Sequence, residues 1–311
     1  MIRPPGDLHR LVFFGTPLEA VPFLDALCVA GFEVAFVVTG GDKRRGRRAA
    51  PSPSPVKVSA QALDIPVSHD VSDALQVKAD LGVVVAFGQI IQSQVLDRLA
   101  MVNVHFSLLP RWRGAAPVER AILAGDAVAG VCLMEVAEGL DTGGVYRSLQ
   151  VPIATQATTA SLTVQLVQHA VPMLVQALQQ GLGKPTPQQG EPCYAKKITK
   201  EDLHLQWHQP VQVLHRQVRV GGAWTTRRNK ILKVWQAEPV ADQASVLSPL
   251  KTLDQRYVPG QVHPHSEVAD LMVRAGDGWL RLVEVQVEGG VRQSAQEWLR
   301  GARLQDAELL G

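Results

Sequence analysis

The sequence predicts an α/β protein, with a mostly parallel sheet in its first half and a small antiparallel barrel or sandwich in its second. Three observations support this prediction. Strands that are apolar on both faces alternate with helical segments up to about residue 180. A segment rich in Pro, Gly, Gln and Lys follows, without an apolar period. Short alternating segments bounded by Gly, Pro and Asp then fill the rest of the chain.

The first half supplies the elements of a parallel sheet. "LVFFGTP" predicts a buried strand that ends in a glycine turn, followed by a helix over 18–30. "FEVAFVVTG" and "LGVVVAFG" predict two further buried strands, with helices over 72–79 and 92–99. Ligands of such sheets bind beyond the carboxyl ends of the strands. We therefore expect "GTP", "AFGQ" and the end of "VNVH" to lie at one rim.

The second half has a different pattern. A long helix is predicted over 161–180, and residues 185–203 are expected to form a linker along the surface. The segments "QVRVGG", "KILKVWQAE", "EVADLMVRAG" and "GWLRLVEVQVEG" alternate and predict the strands of a second domain. The predicted domains are therefore residues 1–184 and 204–311.

Composition excludes several classes of protein. The 311 residues suffice for two domains of about 150 residues each. With 46% hydrophobic and 19% charged residues, the chain is not disordered. The three cysteines, Cys28, Cys132 and Cys193, are widely spaced and predict neither disulfides nor a zinc site. The N-terminus lacks the apolar core of a signal peptide, and no apolar run would span a bilayer. We expect a soluble, cytoplasmic protein that carries no metal.

Asn103 and His105 are the first candidates for chemistry. In a strand, positions i and i+2 share a face, while Val102 and Val104 face the other way. An imidazole exchanges protons near neutral pH, and an amide can donate hydrogen bonds to a developing oxyanion. The pair suits acyl transfer through a tetrahedral intermediate. A capping asparagine and a satisfied core histidine would give the same pattern.

Asp141, in "AEGLDTGG", is a further candidate, although a carboxylate among glycines is commonly a turn former. It gains a role only if its loop reaches the same rim. The chain has neither GxGxxG nor GxxxxGK[ST], so no dinucleotide or nucleoside triphosphate is indicated. His263 and His265 lack a cysteine or carboxylate cluster beside them and are better explained as surface turn residues.

Charge is concentrated in two segments, although the net charge is only +2. Residues 42–57 contain one acidic residue, Asp42, and six cations, which are Lys43, Arg44, Arg45, Arg47, Arg48 and Lys57. Residues 203–237 contain no acid and six cations, which are Arg216, Arg219, Arg227, Arg228, Lys230 and Lys233. Two such segments are typical of a polyanion footprint such as nucleic acid. A solvated basic face is the alternative.

Several blocks of the chain resemble the methionyl-tRNA formyltransferase family. They are "FFGTP", "PSPVKV", "VVVAFGQII", "NVHFSLLPRWRGAAPVERAILAGD" and "GVCLMEVAEGLDTGGVY". They occur in the family's order and spacing throughout the first domain. The resemblance implies a doubly wound, Rossmann-like first domain and an OB-like barrel as the second. It also implies formyl transfer from 10-formyltetrahydrofolate to the α-amino group of methionyl initiator tRNA, by a monomer that acts in translation initiation.

The resemblance also assigns roles to residues. Asn103 and protonated His105 would stabilise the oxyanion, while Asp141 would position His105 and help to remove the amine's proton. The folate would contact Ser107, Leu108, Leu109 and Pro110, with its pteridine against Val85, Ala86, Phe87 and Gly88. The tRNA would contact Lys43, Arg44, Arg45, Arg47 and Arg48 in the loop after the second strand. In the second domain, the basic segment itself predicts tRNA contacts at Arg216, Arg219, Arg227, Arg228 and Lys230.

Two positions depart from the family pattern. Phe106 stands where the family usually has glycine, and "VRVGGAWTTRRNK" lacks a proline- and aromatic-rich pattern seen in many relatives. Other functions share the catalytic group: formyltransferases that act on glycinamide ribonucleotide or on an amino sugar, and the hydrolase part of formyltetrahydrofolate dehydrogenase. A non-catalytic RNA-binding protein on the same scaffold is a further alternative. The basic segments and the long second domain favour tRNA.

Overall fold

The structure is a computed structural model that describes residues 4, 6–44, 50–240, 257–265, 270–305 and 308–311. The chain divides into two compact units. The first comprises Met1–Ala121, Ala127–Ala154 and Ala160–Lys197, and the second Ile122–Asp126, Thr155–Thr159 and Ile198–Gly311. Residues 185–197 of the predicted linker thus belong to the first unit.

The first unit contains a seven-stranded sheet with strand order β10-β9-β7-β6-β1-β2-β5. Neighbouring strands are parallel among β5, β2, β1, β6 and β7. Strand β9 pairs antiparallel with both β7 and β10. This confirms the predicted mostly parallel, Rossmann-like fold. In chain order the strands of this unit are β1 (Arg10–Gly15), β2 (Glu33–Val38), β3 (Lys43–Arg44), β4 (Pro51–Ser52), β5 (Val67–Ser68), β6 (Leu81–Val85), β7 (Met101–His105), β8 (Arg113–Gly114), β9 (Val128–Glu135), β10 (Val145–Pro152) and β11 (Tyr194–Ala195).

The helices in this part of the chain are α1 (Val21–Val29), α2 (Pro55–Ala62), α3 (Ser93–Leu96), α4 (Pro117–Ala124) and α5 (Thr159–Gln179). Helix α2 is capped at its start, because the Ser54 hydroxyl accepts from the Lys57 N–H and Pro55 occupies the first turn. The helix expected over 72–79 is instead a 3₁₀ helix, Val71–Gln76. None of these helices, nor any other in the described ranges, is long and apolar enough to cross a membrane.

The second unit is a curled antiparallel half-barrel with strand order β12-β13-β16-β15-β14. This confirms the predicted OB-like second domain. Its elements in chain order are α6 (Val211–Val220), β12 (Ala223–Arg227), β13 (Lys230–Pro239), β14 (Val262–His265), β15 (Asp270–Arg274), β16 (Trp279–Val287), β17 (Gln293–Ser294) and α7 (Ala295–Ala302). Both helices bury apolar residues, including Leu214 and Trp298, against the inner face of the sheet.

The last residues of the chain link the two edges of this sheet. The Val262 N–H donates to the Glu308 carbonyl at 2.9 Å, and the Gly311 N–H donates to the Thr226 carbonyl at 3.0 Å. The Glu308 carboxylate lies 2.8 Å from Arg227 Nε and 3.1 Å from Arg228 Nε. Burial acts to raise the pKa of Glu308, but hydrogen bonds from Arg227 hold that pKa below its ordinary value. The last residues therefore bind both edges of the sheet, and their carboxylate at Glu308 is paired with two arginines.

His215 on α6 makes the stability of this unit depend on pH. It is only 1% exposed, and its Nε2 donates to Gln156 Oε1 at 3.1 Å. Burial, aided by Arg219, lowers the pKa of His215 from 6.5 to about 4. An unfolded chain takes up this proton near pH 6.5, so the associated stability is present above that pH and is lost as the pH falls towards 4.

We expect the free energy of unfolding to fall by about 2 kcal/mol between pH 7 and pH 5 because of this one group. His215→Gln should flatten that dependence, whereas His169→Gln, at an exposed position of α5, should leave it as in the wild type. Urea unfolding at the two pH values measures the difference. The same change in the free energy of unfolding between pH 7 and pH 5 in wild type and in His215→Gln would contradict the prediction.

Candidate active site

Asn103 and His105 lie at the carboxyl end of β7, which pairs with β6 on one side and β9 on the other. Their side chains share one face of the sheet, because they are two residues apart in a regular strand. Val102 and Val104 are buried on the opposite face, Asn103 is half-buried, and His105 is 6% exposed. The Asn103 amide makes no hydrogen bond to another described residue. It is therefore free to bind a ligand.

The turn after β7 fixes the orientation of the His105 ring. His105 Nε2 lies 2.9 Å from the Trp112 carbonyl oxygen. A carbonyl only accepts, so Nε2 carries the hydrogen and Nδ1 is the nitrogen left for chemistry. The buried Ser107 hydroxyl donates to the Arg111 carbonyl at 2.6 Å, which closes the turn. Trp112 has a φ of 63°, so its carbonyl is presented from a left-handed backbone conformation.

Asp141 is brought to the same place by the loop that follows β9. Its Oδ2 lies 3.7 Å from His105 Nδ1, and both side chains are almost buried. The same oxygen accepts a hydrogen bond of 2.7 Å from the Gly114 N–H. The 3.7 Å gap is longer than a hydrogen bond but short enough for strong attraction to an imidazolium. The predicted imidazole and carboxylate thus form one group.

Two residues of this site were not found from the sequence. Arg113 forms β8 with Gly114, and its guanidinium donates to Gln188 Oε1. Gln188 in turn donates to the carbonyls of Asp141 and Gly143. Arg113 lies in "PRWRG" and Gln188 lies in a polar segment without periodicity, and neither pattern indicates a role in the site.

The loop predicted to bind the pteridine follows β6. Val85 is buried, Ala86 and Gly88 are exposed, and Phe87 packs edge-to-face on Phe14 at 5.5 Å. Ala86 and Gly88 both have positive φ, 46° and 74°. For Ala86 such a conformation is strained, and strain of this kind concentrates at binding sites.

Thr16, after β1, ties this loop to its neighbours. Its Oγ1 donates to the Phe87 carbonyl at 3.1 Å and accepts from the Gly40 N–H at 3.1 Å. The carboxyl ends of three parallel strands are therefore joined by one side chain, at the rim where ligands of such sheets bind.

Leu108 and Leu109 line a cleft of about 580 Å³. Cys132, Val145, Ser148 and Gln188 contribute to its walls. Leu108 lies so close to Gly130 that a Cβ there would come within 2.4 Å of Leu108 Cδ2.

Two residues close to this leucine pair in the sequence, Pro110 and Phe106, are placed differently. Pro110 is half-buried and follows a cis peptide bond. Phe106 packs edge-to-face on Phe23 at 6.4 Å and has no positive φ, so its backbone does not require the glycine usual in the family. Phe106 therefore fills space against α1.

The predicted tRNA contacts of the first unit are placed only in part. Lys43 and Arg44 form the exposed strand β3, which pairs with β4. Arg45, Arg47 and Arg48 lie outside the described residues. Asp42 pairs with Lys57 at 2.8 Å, so the acid of this segment does not neutralise β3.

The basic residues of the second unit have different environments. Arg216 and Arg219 are half-buried on α6, and Arg219 donates to the Ala157 carbonyl at 3.1 Å. Arg227 pairs with Glu308 and lies over the Trp298 ring at 5.1 Å. Arg228 and Lys230 are exposed. In the described ranges no group of three His, Cys, Asp or Glu could hold a metal ion.

Comparison with known proteins identifies both units. Residues 9–178 match the family model "Formyl transferase", and residues 197–303 match "Formyl transferase, C-terminal domain". A methionyl-tRNA formyltransferase of Roseobacter denitrificans is 38% identical over 317 residues, which cover 96% of this chain and 98% of the relative. One from Janthinobacterium sp. is 39% identical over 325 residues, with 96% and 98% covered.

Solved structures share the fold. HypX from Aquifex aeolicus in complex with tetrahydrofolic acid is 19% identical with a TM-score of 0.65, over 94% of this chain and 47% of that one. A methionyl-tRNA formyltransferase from Clostridium thermocellum is 12% identical with a TM-score of 0.56, over 76% of this chain and 95% of that one. Because both family models match and relatives near 38% identity align over almost their full length, the chain belongs to the methionyl-tRNA formyltransferase family.

Proposed function

We propose that this chain transfers the formyl group of 10-formyltetrahydrofolate to the α-amino group of methionyl initiator tRNA, giving N-formylmethionyl-tRNA for translation initiation. The observation that carries the proposal is the convergence of Asn103, His105 and Asp141 at the carboxyl end of β7. Relatives named methionyl-tRNA formyltransferase support the choice of substrates. The proposal includes a monomer that works in the cytoplasm, where translation initiation takes place, and it needs no metal.

The reaction forms one C–N bond and breaks another. The methionyl amine attacks the formyl carbon, and the formyl oxygen becomes an oxyanion. The Asn103 amide can donate to this oxygen because it is not engaged elsewhere in the described residues. When the intermediate collapses, the bond from the formyl carbon to N10 breaks. A proton is then needed at N10, and the amine loses one.

The positions of His105 and Asp141 suit the two proton transfers and the binding of the negatively charged oxyanion by an imidazolium. With Nε2–H held by the Trp112 carbonyl, Nδ1 is the atom that presents or takes up a proton. Asp141 is fixed by the Gly114 N–H and faces Nδ1 at 3.7 Å, so it attracts an imidazolium without occupying Nδ1–H in a hydrogen bond. Nδ1–H therefore remains available for the oxyanion, and the carboxylate can accept the amine's proton.

The test is formyl transfer from 10-formyltetrahydrofolate with three separate acceptors: methionyl initiator tRNA, glycinamide ribonucleotide and an amino-sugar nucleotide. Formylation of the tRNA alone is expected. Transfer to a small acceptor alone would overturn the tRNA assignment but keep the chemistry. Binding of tRNA without transfer to any acceptor would place the chain among non-catalytic RNA-binding proteins.

Replacing Lys43 and Arg44 together by alanine is expected to raise KM for tRNA roughly 10-fold and to leave kcat unchanged, because two phosphate contacts are lost. The dependence of KM on salt should also become less steep. Lys78→Ala is the control, since Lys78 is exposed before the amino end of β6, away from the carboxyl-end rim. An unchanged KM and salt dependence in the double variant would remove β3 from the tRNA site.

A further inference from the structure

We propose that Gln188 is a positioning residue, which holds the loop of Asp141 and the turn of His105 in their reactive arrangement. This inference rests on the proposed function, because it concerns the same site. Gln188 comes from the segment expected to be a surface linker, and it reaches the catalytic group from outside both motifs that carry it. Its hydrogen bonds go to the Asp141 and Gly143 carbonyls and to the Arg113 guanidinium, not to the His105 ring or the Asp141 carboxylate.

The amide group of Gln188 is fully used. Its Nε2 donates to the carbonyls of Asp141 and Gly143, at 2.9 Å and 2.8 Å. Its Oε1 accepts from Arg113 Nε at 3.0 Å and from Arg113 Nη2 at 2.7 Å. Carbonyls only accept and a guanidinium only donates, so these four contacts fix which end of the amide is oxygen. No isosteric side chain can make the same set.

The contacts connect the two parts of the site. Arg113 lies between Trp112, whose carbonyl orients His105, and Gly114, whose N–H binds Asp141. Gln188 therefore binds the turn through Arg113 and the Asp141 loop through two carbonyls. Displacing it would release the loop from the turn, even though every side chain that faces substrate remained.

The Asp141 loop is held from more than one side. Asp141 has a φ of 52°, a left-handed conformation that aspartate adopts more readily than most residues other than glycine. On the side of β9 the loop is held tightly, because a Cβ at Gly143 would lie 1.9 Å from the Glu135 carbonyl oxygen. Gln188 supplies the hydrogen bonds to the same loop. The carboxylate is thus placed by contacts with β9, Gly114 and Gln188.

The pairing of β11 with β8 keeps Gln188 in place. Tyr194 and Ala195 pair in parallel with Arg113 and Gly114. The Cys193 N–H also donates to the Pro110 carbonyl at 3.2 Å. Residues 193–195 are therefore bound to the turn a few residues after Gln188. This explains why a polar segment without an apolar period is built into the first unit.

The experiment measures kcat and KM for formyl transfer by full-length Gln188→Ala, Gln188→Glu and Gln179→Ala. Gln179 is exposed at the end of α5 and serves as the matched control. Gln188→Ala is expected to lower kcat about 10- to 100-fold with both KM values within twofold of wild type, since a misplaced carboxylate affects the reaction more than binding. Thermal unfolding verifies that each variant folds.

Gln188→Glu tests the hydrogen bonds of Oε1 and of Nε2 separately. A glutamate can still accept from Arg113 but cannot donate to the loop carbonyls. If Gln188 positions Asp141, this variant loses kcat as Gln188→Ala does. Wild-type kcat in Gln188→Glu would overturn the proposal, and this variant decides the matter if Gln188→Ala does not fold.

Hydrogen exchange supplies a readout that does not depend on catalysis. Amides of residues 139–144 should exchange faster in Gln188→Ala than in wild type and Gln179→Ala. Unchanged exchange there, together with unchanged kcat, would refute the positioning role. A wild-type protein that formylates no acceptor would refute the proposed function instead, and the exchange data would still report on the loop.

Discussion

His105→Ala is expected to lower kcat for formyl transfer by at least about 100-fold, because it removes the imidazole that we propose stabilises the oxyanion. The Trp112 carbonyl would also lose its donor, but the strand around position 105 is buried in the sheet and should persist. Single-turnover formylation of methionyl initiator tRNA at saturating folate measures the effect. His169→Ala, at an exposed position, should keep full activity.

Asn103 should give a loss of the same order. Asn103→Ala removes the amide, and Asn103→Asp keeps its size but replaces the N–H donor with an acceptor. Both are expected to lower kcat while folate still binds, which fluorescence titration can establish. Wild-type turnover in either Asn103 variant, or in His105→Ala, would contradict the assignment of the oxyanion site.

Asp141→Asn is also expected to lower kcat about 100-fold. The amide oxygen can still accept from the Gly114 N–H, so the loop should keep its conformation. The negative charge 3.7 Å from His105 Nδ1 would be lost, and with it the attraction to an imidazolium. Steady-state kinetics with both substrates gives kcat and KM separately.

Asp64→Asn is the matched control for this variant. Asp64 is exposed and also has a left-handed backbone, with a φ of 55°. The same substitution therefore meets the same conformational demand away from the site. If Asp141→Asn and Asp64→Asn were equally active, the carboxylate of Asp141 would have only the role of a turn former.

The sequence predicted the regular elements best where burial leaves a clear pattern. Strand β6 is apolar along its whole length, and β1 and β2 are apolar after their first residues, Arg10 and Glu33, as expected for a parallel sheet that is covered on both faces. The strands β3, β4, β8 and β11 have two residues each, which is too short for any period to be visible. The helical segment predicted over 72–79 is a shorter 3₁₀ helix, Val71–Gln76, because periodicity indicates a helix without fixing its type or its end.

The features of the site also differ in whether the sequence could predict them. Local pattern placed Asn103 and His105 on one face of a strand end, since alternation in a strand is a property of neighbouring residues. The family blocks, which are also local, indicated Asp141. Nothing local could show that Asp141 lies within 4 Å of His105, or that Nε2 is held by the Trp112 carbonyl while Nδ1 faces Asp141.

The sequence alone determined the fold class, the sequence blocks that indicated the family, and the polar strand end of this protein. The tertiary structure decided which distant segments meet. It joined Gln188 to the Asp141 loop by a hydrogen bond. It also paired Glu308 with Arg227 and Arg228, which lie in a segment, residues 203–237, that contains no acidic residue of its own. The physical reason is that hydrogen bonds and charge pairs depend on distance in space, which the path of the whole chain sets, whereas periodicity and motifs depend on distance along the sequence.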